Sequence, residues 1–158
     1  MANAPAAIIR AVCDTNVLVP PHYRKRLQEA AVARCFTPVW SPWIIAELYR
    51  VLTWKWAQDH GVSEPQRRRC SNAANKMMIL LGNYWELVNI PQPWPAVWPS
   101  LRDPNDQPIW ATAKISDAQY VISNNTHDFP PANAKGQHLW EGIEYIPVET
   151  FLTKVLHL

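Results

Sequence analysis

The stretch IIRAVCDTNVLVP, residues 8–20, sets a carboxylate between two apolar runs. Ile8 to Cys13 predicts a buried strand, short and rich in branched side chains. Asp14 follows it directly, and Val17-Leu18-Val19 comes three residues later. A charge in such surroundings is costly unless it is partnered. Asp14 suits a turn or a helix cap, where its side chain bonds nearby amides. It equally suits a ligand-binding group at the end of a core strand. What the other strands carry at their own ends decides between these readings.

Working outward, the pattern alternates. Proline at Pro20-Pro21 opens a helix expected over residues 22–35. Ser41 is a plausible N-cap with Pro42 in the first turn of a helix reaching His60 and stopping at Gly61. Another helix is expected from Ser63-Glu64-Pro65 to Tyr84, then a strand over 86–90. The segment PQPWPAVWPS, residues 91–100, reads as a stiff aromatic loop within the domain. A helix over 108–117, a strand over 120–123, a strand over 144–146 and a helix over 149–156 complete the series. This order implies an α/β three-layer sandwich on a mostly parallel sheet. In such sheets, ligands bind just outside the carboxyl ends of the strands.

Composition narrows the class. The 158 residues are 48% hydrophobic and 18% charged, which excludes a disordered chain. No apolar run approaches the ~20 residues of a membrane span. The N-terminal MANAPAAIIRAVCD has neither the basic start nor the long apolar centre of a signal peptide. A cytoplasmic protein with Cys13, Cys35 and Cys70 as reduced thiols is therefore expected. Without a C-x-x-C pair the cysteines offer no zinc framework. Net charge is only +2, but Arg24-Lys25-Arg26 and Arg67-Arg68-Arg69 are clustered, as solvated helix faces or as phosphate contacts.

The acids recur where a site is expected. Glu47 lies in the helix SPWIIAELYRVLTWKWAQ, at the edge of the arc formed by Ile44, Ile45, Leu48, Val51 and Leu52. A bond to Arg50 is the plain alternative, although Arg50 projects from a more polar sector. Asp103 and Asp106 flank the start of the helix near Pro108, where one of them could act as cap. Asp128 follows the strand in YVISNNTHDFPP, residues 120–131. Acids converging at one end of a sheet repel unless something positive sits among them. A hard divalent cation, Mg²⁺ or Mn²⁺, answers that need with oxygen ligands.

In these motifs the chain resembles the PIN-domain family of metal-dependent ribonucleases, from about Ala11 to Phe151. The resemblance rests on VCDTNVLVP, on WSPWIIAELYRVL with Glu47, on DPNDQPIWATA with Asp106, and on YVISNNTHDFP. The closing YIPVETFL is similar to the family's last strand and helix. This implies a single PIN-like domain over residues 1–158 with a four- or five-stranded sheet. Asp14, Glu47 and Asp106 would be the principal acids for catalysis and metal, with Asp128 as a further metal residue. Asn16, Ser123 and Asn125 would support them. Arg24, Lys25 and Arg26 would track RNA phosphates, and Trp94 and Trp98 would serve contacts outside the core. The resemblance is to VapC-like toxins of bacterial toxin–antitoxin pairs, which implies an RNA substrate and an antitoxin partner. A homodimer is compatible with it.

One departure matters. Where many relatives carry a fourth acid, this chain has Asn125, with Asp128 three residues on. That favours the alternative, a non-catalytic PIN-like module binding RNA or a protein. A phosphatase with an aspartate after its first strand ranks behind both, since this chain has D-x-N in place of D-x-D.

Overall fold

The computed structural model describes residues 8–60, 63–91 and 104–158. The expectations for Gly61, Trp94, Trp98 and Asp103 lie outside the described residues. Six strands are present among those described: β1 (Arg10–Cys13), β2 (Thr37–Trp40), β3 (Glu86–Leu87), β4 (Tyr120–Ile122), β5 (His138–Trp140) and β6 (Ile143–Ile146). They form one sheet in the order β3-β2-β1-β4-β6-β5, parallel throughout except for the antiparallel β5–β6 pair. The α/β class and mostly parallel sheet agree with the sequence, and the strand number exceeds it.

The two additional strands have local causes. Proline in β2 argues against a central strand. Here the Thr37 N–H donates to the Ile9 carbonyl, so Pro38 turns its missing donor toward the β3 side. Pairing with β3 begins only at Val39, and no ladder bond is lost. β5 returns to β6 through Glu141-Gly142, both at positive φ (45° and 82°). Two such residues match the twist of a tight hairpin, a conformation that glycine reaches without steric penalty.

Helices α1 (Thr15–Leu18), α2 (Pro21–Val32), α3 (Pro42–His60), α4 (Glu64–Gly82), α5 (Gln107–Ile115) and α6 (Val148–Thr150) link the strands. The last continues as a wider turn over Phe151–Val155, where the Leu156 N–H reaches the Phe151 carbonyl five residues back. Side chains alternate across the pleat. Val121 and its neighbour Tyr145 share a face with Ile109 of α5. Tyr120 takes the other face and meets Phe151 edge to face at 5.5 Å. Helical layers therefore cover both sides, and residues such as Trp110, Phe151, Leu48 and Val12 are fully buried. About 25 cal/mol for each Å² of apolar surface withdrawn from water drives this packing.

Strand order also locates a crevice. The chain runs outward from β1 through β2 to β3, then returns to the opposite side of β1 with β4. The β1–β4 boundary is thus the topological switch point, where ligands bind at the strands' carboxyl ends. Two helices that bear acids near this end are joined by a buried hydroxyl pair. Thr112 Oγ1 of α5 lies 2.9 Å from Ser41 Oγ, just before α3, and donates to the Pro108 carbonyl at 2.7 Å. Replacing Thr112→Val keeps the shape and removes this link, leaving a hydroxyl buried without it. A loss of about 1–3 kcal/mol is expected, read as a lowered midpoint in urea denaturation.

Candidate active site

β1 and β4 end side by side, with Cys13 in register with Ile122 and the Asp14 N–H bonded to the Ile122 carbonyl at 2.9 Å. Asp14 is then placed beside Ser123, the residue that follows β4. Its carboxylate accepts from the Thr15 N–H at 2.7 Å, from Asn16 Nδ2 at 2.8 Å and from the Ser123 hydroxyl at 2.9 Å. Asp14 therefore caps α1 and also stands at the end of a core strand at the switch point.

A polar mesh spreads from this group. Asn16 Nδ2 also reaches Ser123 Oγ at 2.8 Å, and Asn16 Oδ1 accepts from the Asn124 N–H at 3.0 Å. Asn124 Oδ1 in turn accepts from the Val148 N–H at the start of α6. The polar run after β4 is thus spent on joining three strand ends. Asn125 lends its backbone N–H to Ser123 Oγ, and its amide donates to Asp128 Oδ2 at 2.5 Å. Asn125 and Asp128 form a pair, so they do not compete for one position. His127 is exposed, while Phe129 and Pro130 return the chain to the interior.

Glu47 and Asp106 arrive from the helices. Glu47 is half-buried on α3, with Oε2 3.5 Å from Thr15 Oγ1. Asp106 stands at the cap position of α5, yet its side chain makes no capping bond and its backbone is helical. Its carboxylate remains favoured by the positive end of the helix. Asp14, Glu47 and Asp106 line one cleft of about 490 Å³ together with Trp43 and Arg50. Asp14 and Asp106 also border a small adjoining pocket of about 10 Å³, which Ser123, Asn125, Asp128 and Tyr145 complete.

Trp43 and Arg50 are site residues that the sequence reading missed. Trp43, Ala46, Glu47 and Arg50 follow the spacing i, i+3, i+4, i+7 and so form one stripe on α3. Helical spacing could have found Arg50, which is exposed as its more polar sector implies and still borders the cleft. Tyr145 was missed too. Burial raises the pKa of its phenol, and the charges of Asp106 and then Asp14 raise it further. It is a neutral donor among carboxylates.

The first basic cluster has other partners. Arg24 donates to the carbonyls of Leu18 and Val19 at 2.8 and 2.9 Å, closing the end of α1, and burial lowers its pKa. Arg26 pairs with Glu149 at 2.6 Å, and Lys25 lies 3.8 Å from Glu29. Arg24 and Arg26 thereby tie α2 to α1 and α6, while Arg50 is a cation among the described residues that line the acidic cleft.

Among the described residues no three His, Cys, Asp or Glu side chains form a closed metal-ligand set. The donor chemistry nevertheless fits a hard cation: carboxylate oxygens border an open cleft. Both Asp14 oxygens already accept protein donors, so a cation that retains part of its water shell suits the arrangement. Mg²⁺ behaves in this way.

The PIN domain family model matches residues 10–127. The chain belongs to the PIN-domain family, whose members are generally nucleases that use divalent metals. No curated protein matches the chain. No helix among the described residues is long and apolar enough to cross a membrane.

The site also fixes thiol reactivity. Cys13, next to Asp14, is buried, and burial followed by the Asp14 charge pushes its thiol up. The raised pKa disfavours the thiolate, which is the reactive form. Alkylation of the native protein at about pH 8.5, where a free cysteine is half ionised, should modify half-buried Cys35 and spare Cys13 and Cys70. Unfolding should expose all three to the reagent, with peptide mass spectrometry as the readout.

Proposed function

We propose that this PIN-domain protein is a metal-dependent endoribonuclease that hydrolyses RNA phosphodiester bonds, using Mg²⁺ or Mn²⁺. The observation that carries the reading is the meeting of Asp14, Glu47 and Asp106, from three distant parts of the chain, in one cleft beside the switch point. Asp14, Glu47 and Asp106 would hold the cation, with Asp128 contributing from the adjoining pocket. When bound there, a divalent cation supplies positive charge against the scissile phosphate and acidifies water for attack.

The chain's own groups complete the chemistry. Asn16 and Ser123 hold the Asp14 carboxylate in its orientation through their hydrogen bonds. Glu47, across the cleft, can accept a proton from attacking water. Arg50 offers a phosphate-binding guanidinium on the same helix face, and Trp43 offers an aromatic surface for an unstacked base. These positions favour single-stranded RNA, whose bases can splay. Single-stranded or flap DNA is the competing substrate in the same assay.

The biological role we propose is the toxin of a bacterial toxin–antitoxin pair acting in the cytoplasm. An antitoxin would silence it by covering the cleft, and a homodimer is the assembly proposed. The motifs quoted from the sequence support that role. Asn125, where many relatives have an acid, favours a second reading, a non-catalytic module that binds RNA or protein. Mn²⁺-dependent cleavage of an RNA pool by purified protein decides between them. Loss of cleavage in Asp14→Ala and with chelator supports the nuclease; RNA binding without cleavage supports the module.

Two further outcomes follow from the geometry. Arg50→Ala should weaken binding of a non-cleavable RNA and reduce the slope of log affinity against log salt by about 1. Since Asn125 donates to Asp128, Asn125→Ala and Asp128→Ala should be non-additive. The double variant should lose little more activity than the worse single one.

A further inference from the structure

Tyr145 of β6 is 5% exposed, and its ring packs edge to face on Phe129 at 5.8 Å. Among the described residues its hydroxyl is buried without a hydrogen-bond partner. A buried donor left in this way is unfavourable, and native structures rarely keep one without a reason. The hydroxyl belongs to the small pocket of about 10 Å³ bordered by Asp14, Asp106, Ser123, Asn125 and Asp128. That volume matches one water molecule, and a buried water typically makes about three hydrogen bonds.

The pocket's polar groups assign the donors. Asp14 already accepts from Thr15, Asn16 and Ser123. The Asn125 amide is turned to Asp128, which has a second oxygen. Asp106 makes no bond to its own helix start. We propose that Tyr145 is a positioning residue for the acid cluster. Its hydroxyl donates to one water in this pocket, and the water's two protons go to the carboxylates of Asp106 and Asp128. One donor chain then links two acids that border the same pocket. The inference rests on the metal-binding reading of the cleft, and Tyr145 itself contacts neither substrate nor metal in it.

Tyr145→Phe removes one oxygen and keeps the ring. Mn²⁺ affinity measured by calorimetry should fall at least about tenfold, the usual effect of losing a group that orients a ligand. The melting temperature of the metal-free variant should change little, because the ring packing is kept and the water retains its bonds to the two acids. Equal Mn²⁺ affinity in variant and wild type overturns the inference while leaving the nuclease reading intact. Wild-type protein that binds no Mn²⁺ overturns the metal-binding reading instead. A high-resolution crystal structure tests the water independently of any metal. Ordered density within hydrogen-bond distance of Tyr145, Asp106 and Asp128 supports the inference, and a dry pocket overturns it.

Discussion

The carboxylate of Asp14 is the group on which the rest of the arrangement depends. It sits where β1 and β4 end together, half-buried between apolar segments, so its charge has to be met by protein donors. Those donors come from the turn of α1 and from the end of β4. Charge-assisted bonds of this kind contribute about 1.5–3 kcal/mol each. Satisfying one carboxylate thereby fixes the entry of α1, the loop after β4 and, through Asn124, the start of α6. The same bonds that stabilise the fold aim the carboxylate at the cleft.

The helices face an opposing constraint. Glu47 and Asp106 are drawn toward Asp14, and like charges in one cleft repel. Packing away from the acids helps to offset this cost. α3 is anchored by fully buried Ile44, Leu48 and Leu52, and α5 by Ile109, Trp110, Ala111 and Ala113. The Ser41–Thr112 pair ties the start of α3 to the middle of α5. Packing on one side of each helix therefore pins carboxylates on the other. A damaged core contact between α3 and α5 should disturb the site even though no acid is touched.

Much of this was legible in the sequence, for identifiable reasons. Strand β1 with its trailing aspartate, the apolar arc that puts Glu47 on a seam, and the polar run after β4 depend on local periodicity. β2 and β5 were not legible. Pro38 hides a central strand because its tolerance rests on where the short β3 begins, a tertiary fact. β5 is three residues long and depends on the Glu141-Gly142 turn. In the candidate site, the acids could be singled out because charge near apolar runs is unusual. Tyr145 could not, since tyrosine in a strand is ordinary and only the register with Val121 turns it toward the acids. Arg24 misled for the opposite reason: its cluster looks solvated, while its guanidinium closes α1.

Charge in the cleft also bears on the order of events in the proposed reaction. Among the described residues that line the cleft, three carboxylates stand beside one guanidinium, that of Arg50. An RNA phosphate approaching that surface alone meets repulsion, and the chain's small net charge of +2 gives little long-range attraction to offset it. A divalent cation in the proposed reaction would lessen that repulsion. On the proposed reading, cation and RNA would each strengthen the binding of the other, and linkage would make the two effects equal in size. The basic residues behind α1 cannot replace this coupling, because Arg24, Lys25 and Arg26 face carbonyls or acids of their own. In the proposed reaction Arg50 and Trp43, both lining the cleft, would then decide where the strand lies.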